Sequence, residues 1–390
     1  MFTFFSMDRI TGTFDDLGGS VTFNERSTSE EASICGVFPG GDLMVYIIES
    51  YDLDVYIRGG LKQRYYRFDP ESGKRYELFT EWPDHRQFGN IFILDDERIF
   101  LAEGSADDGQ LLWITDQDGR SRTPLWDKPS GYAYGMALSP DKATLAFHIT
   151  GAGNEFNHPG CHYSMNTVSL TDGTRRLVYE KPGHLMFGTD WTADGKLIFQ
   201  DCFADKDPAH RFSDIVAASK DGSEVRYLTN GQSSYFGTSF GRPDFRSGGS
   251  NYPLPLPDGR IVLTERSPGS HPDSGYDPSL GNHHEDVYAP ENAVGGARLV
   301  IYDPKTGIKS DLTGYEEFKW DFRPSLSPDG RRVAYTSARN GQASEIRMVS
   351  LDGGEDIHVT YGHGESGADH ARPSLLDASV IGRFRSSFIK

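Results

Sequence analysis

The chain has 390 residues, a formal net charge of −18, 44 glycines, 21 prolines and 12% aromatic residues. Nucleic acids and anionic membranes need a basic footprint, so both are excluded as expected partners, and no apolar run reaches membrane-spanning length. The three cysteines, Cys35, Cys161 and Cys202, form no disulfide framework, and the N-terminus lacks a basic region followed by a long apolar core, so a cytoplasmic protein is expected.

In chain order, the sequence repeats itself. Residues 1–23, MFTFFSMDRITGTFDDLGGSVTF, are strand-like but too short for a sheet. From Ile34 to Thr80 the chain alternates short apolar strands with Gly- and Asp-rich turns. The plan recurs in GNIFILDDERIFLAEG (Gly89–Gly104), GMALSPDKATLAFHIT (Gly135–Thr150), GTDWTADGKLIFQD (Gly188–Asp201), YPLPLPDGRIVLTER (Tyr252–Arg266) and DFRPSLSPDGRRVAYTSARN, which starts at Asp321. A third strand ending in another turn follows each, as in NTVSLTDGTRR and EIRMVSLDGGE, and then a fourth, as in RLVYE and DIHVT. Four antiparallel strands recurring at a spacing of roughly 40 to 65 residues are the blade of a β-propeller. Six blades are expected between about Ser33 and Thr360. The two ends, 1–23 and 371–384, join as a composite seventh, with N- and C-terminal strands closing the ring and removing exposed edges. The expected fold is all-β: one seven-bladed propeller of four-stranded antiparallel blades spanning 1–390. The longest loop, Ser267–Gly296, falls inside a blade after its second strand, and polar loops of that length are functional or disordered.

First strands of a propeller face the central channel, and ligands sit where those strands open onto one face. Six residues before the turn aspartates Asp95, Asp141, Asp194, Asp258 and Asp329 stand Gly89, Gly135, Gly188, Tyr252 and Arg323. Arg372 of HARPSLL takes the same place when matched to DFRPSLS. Just upstream lie His85, Tyr132, Tyr134, His184, Lys319, Trp320 and His370. One reading is a funnel for an anionic, sugar-like ligand, with space over the glycines, an aromatic platform that includes Trp320, and Arg323 and Arg372 for a carboxylate. The other is that the glycines are turn or bulge residues and each arginine pairs with a carboxylate such as Asp321 or Asp369. Two histidine-rich stretches, His158 to His162 (with Cys161, and His148 ten residues before His158) and His283 to Asp286, offer ligands for a divalent ion, but exposed polar loops are the favoured account of both. A hydrolase triad is not expected.

With the blades placed, the chain resembles the oligogalacturonate lyases, seven-bladed propellers that cleave uronate oligosaccharides by β-elimination. The likeness is clearest from Cys161 to Leu351. Its most specific part is PGHLMFGTDWTADG, where His184 falls on the family's catalytic base; the blade repeat also resembles the TolB-type repeat, which carries architecture and no chemistry. The family's manganese ligands match Tyr252, Asp321 and Arg323 here, with Phe318 near the family's glutamine, and its catalytic arginine has no counterpart in CHYSMNTVSL. The resemblance therefore implies a lyase for which manganese is not expected, although another divalent ion stays open. In such an enzyme Arg323 and Arg372 neutralise the uronate carboxylate, His184 takes the C5 proton, and His85, Tyr134 or Tyr252 protonates the leaving oxygen. The expected partner is an acidic oligosaccharide, and the expected state a monomer or weak homo-oligomer. The alternatives are a non-catalytic propeller that binds a sugar or protein, and a propeller glycosidase, which would use a carboxylate pair such as Asp321 and Asp369.

Overall fold

The computed structural model describes residues 5–8, 13–16, 21–23, 28–30, 32–48, 63–82, 88–105, 109–126, 132–150, 163–204, 211–229, 253–266, 296–317, 319–327, 329–339, 345–354 and 356–358. The chain divides into two compact units, one of residues 1–132, 169–174 and 376–390, the other of residues 133–168 and 175–375.

In the first unit β1 (Phe5–Asp8) pairs with β2 (Thr13–Asp16), and β3 (Val21–Phe23) with β4 (Thr28–Glu30). Two four-stranded antiparallel sheets follow, each in sequence order: β5 (Ala32–Val37), β6 (Leu43–Ile48), β7 (Gln63–Phe68) and β8 (Arg75–Glu77), then β9 (Phe88–Ile93), β10 (Ile99–Ser105), β11 (Gly109–Thr115) and β12 (Arg122–Trp126).

The second unit holds four more sheets of the same plan. They are β13 (Tyr132–Leu138) to β16 (Arg175–Glu180) through β14 (Thr144–Thr150) and β15 (Tyr163–Ser169); β17 (Leu185–Trp191), β18 (Leu197–Ala204), β19 (Arg211–Ala218) and β20 (Val225–Tyr227); β21 (Leu254–Pro255), β22 (Ile261–Arg266), β23 (Ala297–Tyr302) and β24 (Lys309–Asp311); and β25 (Lys319–Leu326), β26 (Arg332–Arg339), β27 (Glu345–Ser350) and β28 (Ile357–His358). A single parallel pairing, Ala297 with Trp320, links the last two sheets. These six sheets are the six expected blades. A composite seventh would require residues 371–384, which lie outside the described residues.

The second strands show why the sheets stack. In β18, Leu197 and Phe199 pack with Met165, Val178 and Met186 on one side, while Ile198 packs with Ile215, Ile261 and Val300 on the other. In β22, Val262 joins Leu299 and Tyr335, and Ile261 and Leu263 face the preceding sheet. Successive side chains of a strand point to opposite faces, so a sheet covered on both sides needs apolar residues at consecutive positions. That is why LIF, TLAF and IVL do not alternate with polar residues as a half-exposed strand would. Each fully buried Leu, Ile or Phe contributes about 1.5–3 kcal/mol. The first unit repeats the arrangement with Phe38, Met44, Tyr65, Trp82, Ile99 and Leu101.

The turns between first and second strands are locked by their own side chains. Ser139, Thr192 and Ser327 donate their hydroxyls to Asp141, Asp194 and Asp329 at 2.5 Å. The same hydroxyl oxygens accept the backbone N–H of Thr144, Lys196 and Arg332 at 2.9 Å. The Ser/Thr-x-Asp spacing in the repeat is therefore a hydrogen-bonded turn. Where the β17–β18 and β25–β26 turns place Gly195 and Gly330 in the left-handed region, the β13–β14 turn places Lys142, with φ at 54°.

Candidate functional site

The column of residues six before the turn aspartate is a column of irregularities in the first strands. Pairing of β9 with β10 skips Gly89, pairing of β17 with β18 shifts between Phe187 and Asp190, and pairing of β25 with β26 shifts between Phe322 and Ser325, around Arg323. Gly188 (φ 62°) and Gly135 (φ 57°) take left-handed backbone. A bulge with Gly at that conformation bends the strand and re-aims its neighbours. This favours the bulge account of the glycines over open ligand space. At Gly135 the correction is direct: a Cβ there would lie 2.9 Å from the His148 ring, which fills the position. His148 is buried, stacks on Tyr163 at 6.0 Å, and burial pushes its pKa down to about 3.

Of the candidate residues, His184 has the most developed surroundings. It precedes β17, at the end of its sheet opposite the β17–β18 turn. Its ring Nδ1 lies 2.8 Å from Oδ1 of Asp201, a carboxylate of β18 with no exposure, and the His184 side chain is itself only 13% exposed. Strand pairing brings them together, because Asp201 sits opposite Met186, two residues after His184. The second oxygen, Oδ2, accepts hydroxyls from Tyr179 at 2.8 Å and Tyr227 at 2.6 Å. The two tyrosine hydroxyls also contact each other. Burial first, and then hydrogen bonding to each other and to Asp201, pushes the Tyr179 hydroxyl well above the usual phenol range; burial and Asp201 do the same for Tyr227. Both therefore act as proton-holding donors at neutral pH. With Asp201 accepting from Nδ1–H, the imidazole tautomer is set, and its basic atom is Nε2.

Asp201, Tyr179 and Tyr227 were not singled out from sequence, although a signal exists. The fifth position of the second strands carries Glu103, Asp201 and Glu265, each engaged by the chain. Trp82 Nε1 donates to Glu103 at 3.0 Å, and Lys309 and Arg298 contact Glu265 at 2.7 and 3.2 Å. These three carboxylates are polar anchors, whereas the same position is Ile47, His148 and Thr336 in the other sheets, and only Asp201 is engaged by a histidine.

The other candidates are not gathered around His184 by the described residues. Trp320 is 1% exposed and is core, so it offers no aromatic platform. Tyr134 and Arg323 lie on β13 and β25, and Gly89 lies on β9 of the first unit; the Tyr134 and Arg323 side chains, and the whole of His85, Tyr252 and Arg372, fall outside the described residues, as do His158 to His162 and His283 to Asp286. Asp321, at a position matching a manganese ligand of the lyases, has both oxygens taken by the protein. Lys319 and Thr313 reach Oδ2 at 3.0 and 2.7 Å, and Ser337 reaches Oδ1 at 2.7 Å. These donors do not fit a metal ligand. Among the described residues no group of three or more His, Cys, Asp or Glu side chains converges on a metal position. A hydrolase triad is not expected, yet Gly237-Thr238-Ser239-Phe240-Gly241 has the spacing of a nucleophile elbow, a motif that needs a strand-to-helix turn; the segment lies outside the described residues.

No family model matches the chain. It is 31% identical over 102 residues to the uncharacterized peptidase YuxL of Bacillus subtilis, which is 25% of this chain and 14% of that protein. Among solved structures, a puromycin-hydrolyzing peptidase of Mycobacterium tuberculosis aligns with a TM-score of 0.56 and 16% identity, covering 92% of this chain and 49% of the other. A puromycin hydrolase S511A mutant complexed with PGG aligns at 0.57 and 14%, covering 94% and 51%. An oligogalacturonate lyase in complex with manganese aligns at only 0.40, with 15% identity, 85% of this chain and 97% of the other, which is too distant to carry an argument. The chain spans about half the length of the peptidase structures and a small part of the curated relative. At this level of identity the likeness establishes architecture alone, and with the six four-stranded sheets it makes the chain a β-propeller.

Proposed function

We propose that this propeller is a lyase that cleaves a uronate-containing oligosaccharide by β-elimination, with His184 as the base. The observation that carries the reading is the 2.8 Å bond between His184 Nδ1 and the buried Asp201. A carboxylate in that position orients the ring and stabilises the imidazolium formed when Nε2 takes a proton, as general base catalysis requires. The C5–H electron pair becomes the C4–C5 double bond as the C4–O4 bond breaks, and O4 leaves with a proton from an acid. Arg323 and Arg372 are assigned to the uronate carboxylate, and Tyr134, Tyr252 or His85 to the departing oxygen. No metal step is included, because the donors around Asp321 already occupy its oxygens.

The test is the absorbance of the unsaturated product when the purified chain meets uronate oligosaccharides. His184→Ala should lower the rate by about 10² to 10⁴ while the chain stays folded. If His184→Ala is nearly as active as the parent and His85→Ala is dead, the base lies elsewhere. If the parent yields no unsaturated product from any uronate oligosaccharide, the lyase reading fails.

A second reading is favoured by the peptidase structures that align above a TM-score of 0.5: the chain is the propeller portion of a peptidase-type protein, and the His184 cluster ties two sheets together. The absence of unsaturated product from uronate oligosaccharides, together with a clear fall in the unfolding midpoint of His184→Ala, would favour it over the lyase.

A further inference from the structure

A cleft of about 650 Å³ opens between the sheets β17–β20 and β21–β24, at their hairpin-turn end and so at the opposite end of β17 from His184. Its apolar floor presents Leu228, Pro257 and Pro304, with Leu256, Ile198 and Ile261 buried behind them; Ile198 and Ile261 belong to the cluster that packs these sheets together. Arg226 of β20 stands on one wall and Lys305, from the turn after β23, on the other; both are exposed.

The rim also carries three carboxylates, and each is engaged locally. Asp194 accepts the Thr192 hydroxyl at 2.5 Å, Asp258 is held by Arg260 at 2.7 Å, and Glu224 lies 3.8 Å from Lys196. Asp303, next to Lys305 in its turn, accepts the Lys305 backbone N–H at 2.8 Å and the Thr306 hydroxyl at 3.0 Å. Among the described residues neither Arg226 nor Lys305 has a carboxylate within salt-bridge distance, although the Asp303 turn hydrogen bonds, helped by the Lys305 charge, hold that carboxyl below the usual range. In a chain with a formal net charge of −18, two cations across an apolar cleft whose carboxylates are engaged locally form a site of specific polarity.

We propose that this cleft binds an amphipathic carboxylate, with the acid group between Arg226 and Lys305 and the apolar body on the floor. The desolvated apolar surface supplies affinity and the guanidinium supplies charge-assisted hydrogen bonds. A free small acid and the C-terminus of a peptide with an apolar last residue present this same chemistry. The site is independent of the His184 centre.

Calorimetric titration of the whole chain with N-acetyl-leucine, its neutral amide and the peptide Gly-Gly-Leu tests the proposal. Both acids should bind in the millimolar range or tighter, and the amide at least about tenfold more weakly. The tighter of the two acids identifies the source, peptide terminus or free acid. The double variant R226Q/K305Q should lose about tenfold in affinity for the acids, with its unfolding midpoint unchanged, because both side chains are exposed. Lys74→Gln, which removes an exposed cation of the first unit, should bind like the parent. The proposal is overturned by equal binding of acid and amide, by parental affinity in the double variant, by an equal loss in Lys74→Gln, or by no binding of either acid at millimolar concentration.

Discussion

Two blades of the second unit place different cations in the same slot. His184 stands ten residues before Asp194, and Lys319 ten before Asp329. In the β17–β20 sheet the carboxylate is on the second strand, Asp201, and the cation partner is the imidazole. In the β25–β28 sheet the carboxylate has moved to the first strand, Asp321, while Ser337 of the second strand donates a hydroxyl to it. Burial pushes the Asp321 carboxyl up, against the opposing pull of Lys319 and the two hydroxyls. One slot thus makes a buried lysine–carboxylate pair backed by two hydroxyls, and the other a histidine–carboxylate pair backed by two tyrosines. The repeat supplies the place, and the residue type decides whether the place can move a proton.

The comparison breaks most visibly at the ion pair. Lys319→Met leaves Asp321 buried without its cation and should cost about 3–5 kcal/mol in denaturant unfolding. His184→Ala should cost less, about 1–3 kcal/mol, because it removes one hydrogen bond from Asp201 rather than the ammonium of a buried pair. Equal losses at the two sites would remove the distinction between a structural pair and a chemical one.

A second contrast sets His184 against His148, which has been made neutral by burial. The folded pKa of His148, about 3, lies below the ordinary 6.5. As pH falls below 6.5 the unfolded chain takes the proton first, so the stability this residue confers is complete above that value and is lost on the way down to about 3. Denaturation midpoints measured from pH 7 to pH 4 should therefore fall in the parent and fall less in His148→Phe, whose ring can keep the stack on Tyr163. A second loss, common to both proteins, belongs to lower pH. The Ser139 and Ser327 hydroxyls and the turn N–H groups hold Asp141 and Asp329 below the usual carboxylate range, so protonating them removes stability below about pH 4.

The smallest effect tests the turn itself. Lys142 alone among the comparable turn positions occupies left-handed backbone without being glycine, and Lys142→Gly should raise stability by about 0.5–1 kcal/mol. A loss in thermal midpoint instead would mean that the lysine side chain makes a compensating contact.

The sequence by itself determined the repeat, because its signals are local. Ser/Thr-x-Asp turns fold on hydrogen bonds within five residues, and short apolar strands between them leave antiparallel pairing as the direct solution. Six four-stranded sheets followed from that reading, and His184 was found at the start of its first strand. Tertiary structure decided what the column of glycines is for, since a missing side chain looks the same in sequence whether a ligand or His148 fills the space. It also decided the fate of Trp320, which reads as a surface platform beside Arg323 but is enclosed when sheets cover both faces of their neighbours. Above all it decided the partner of His184. Asp201 is 17 residues away, Tyr179 comes from the preceding sheet and Tyr227 from the far strand of the same one. Strand register and sheet stacking bring these groups within hydrogen-bond reach, and neither is set by the residues adjacent to His184 in the chain.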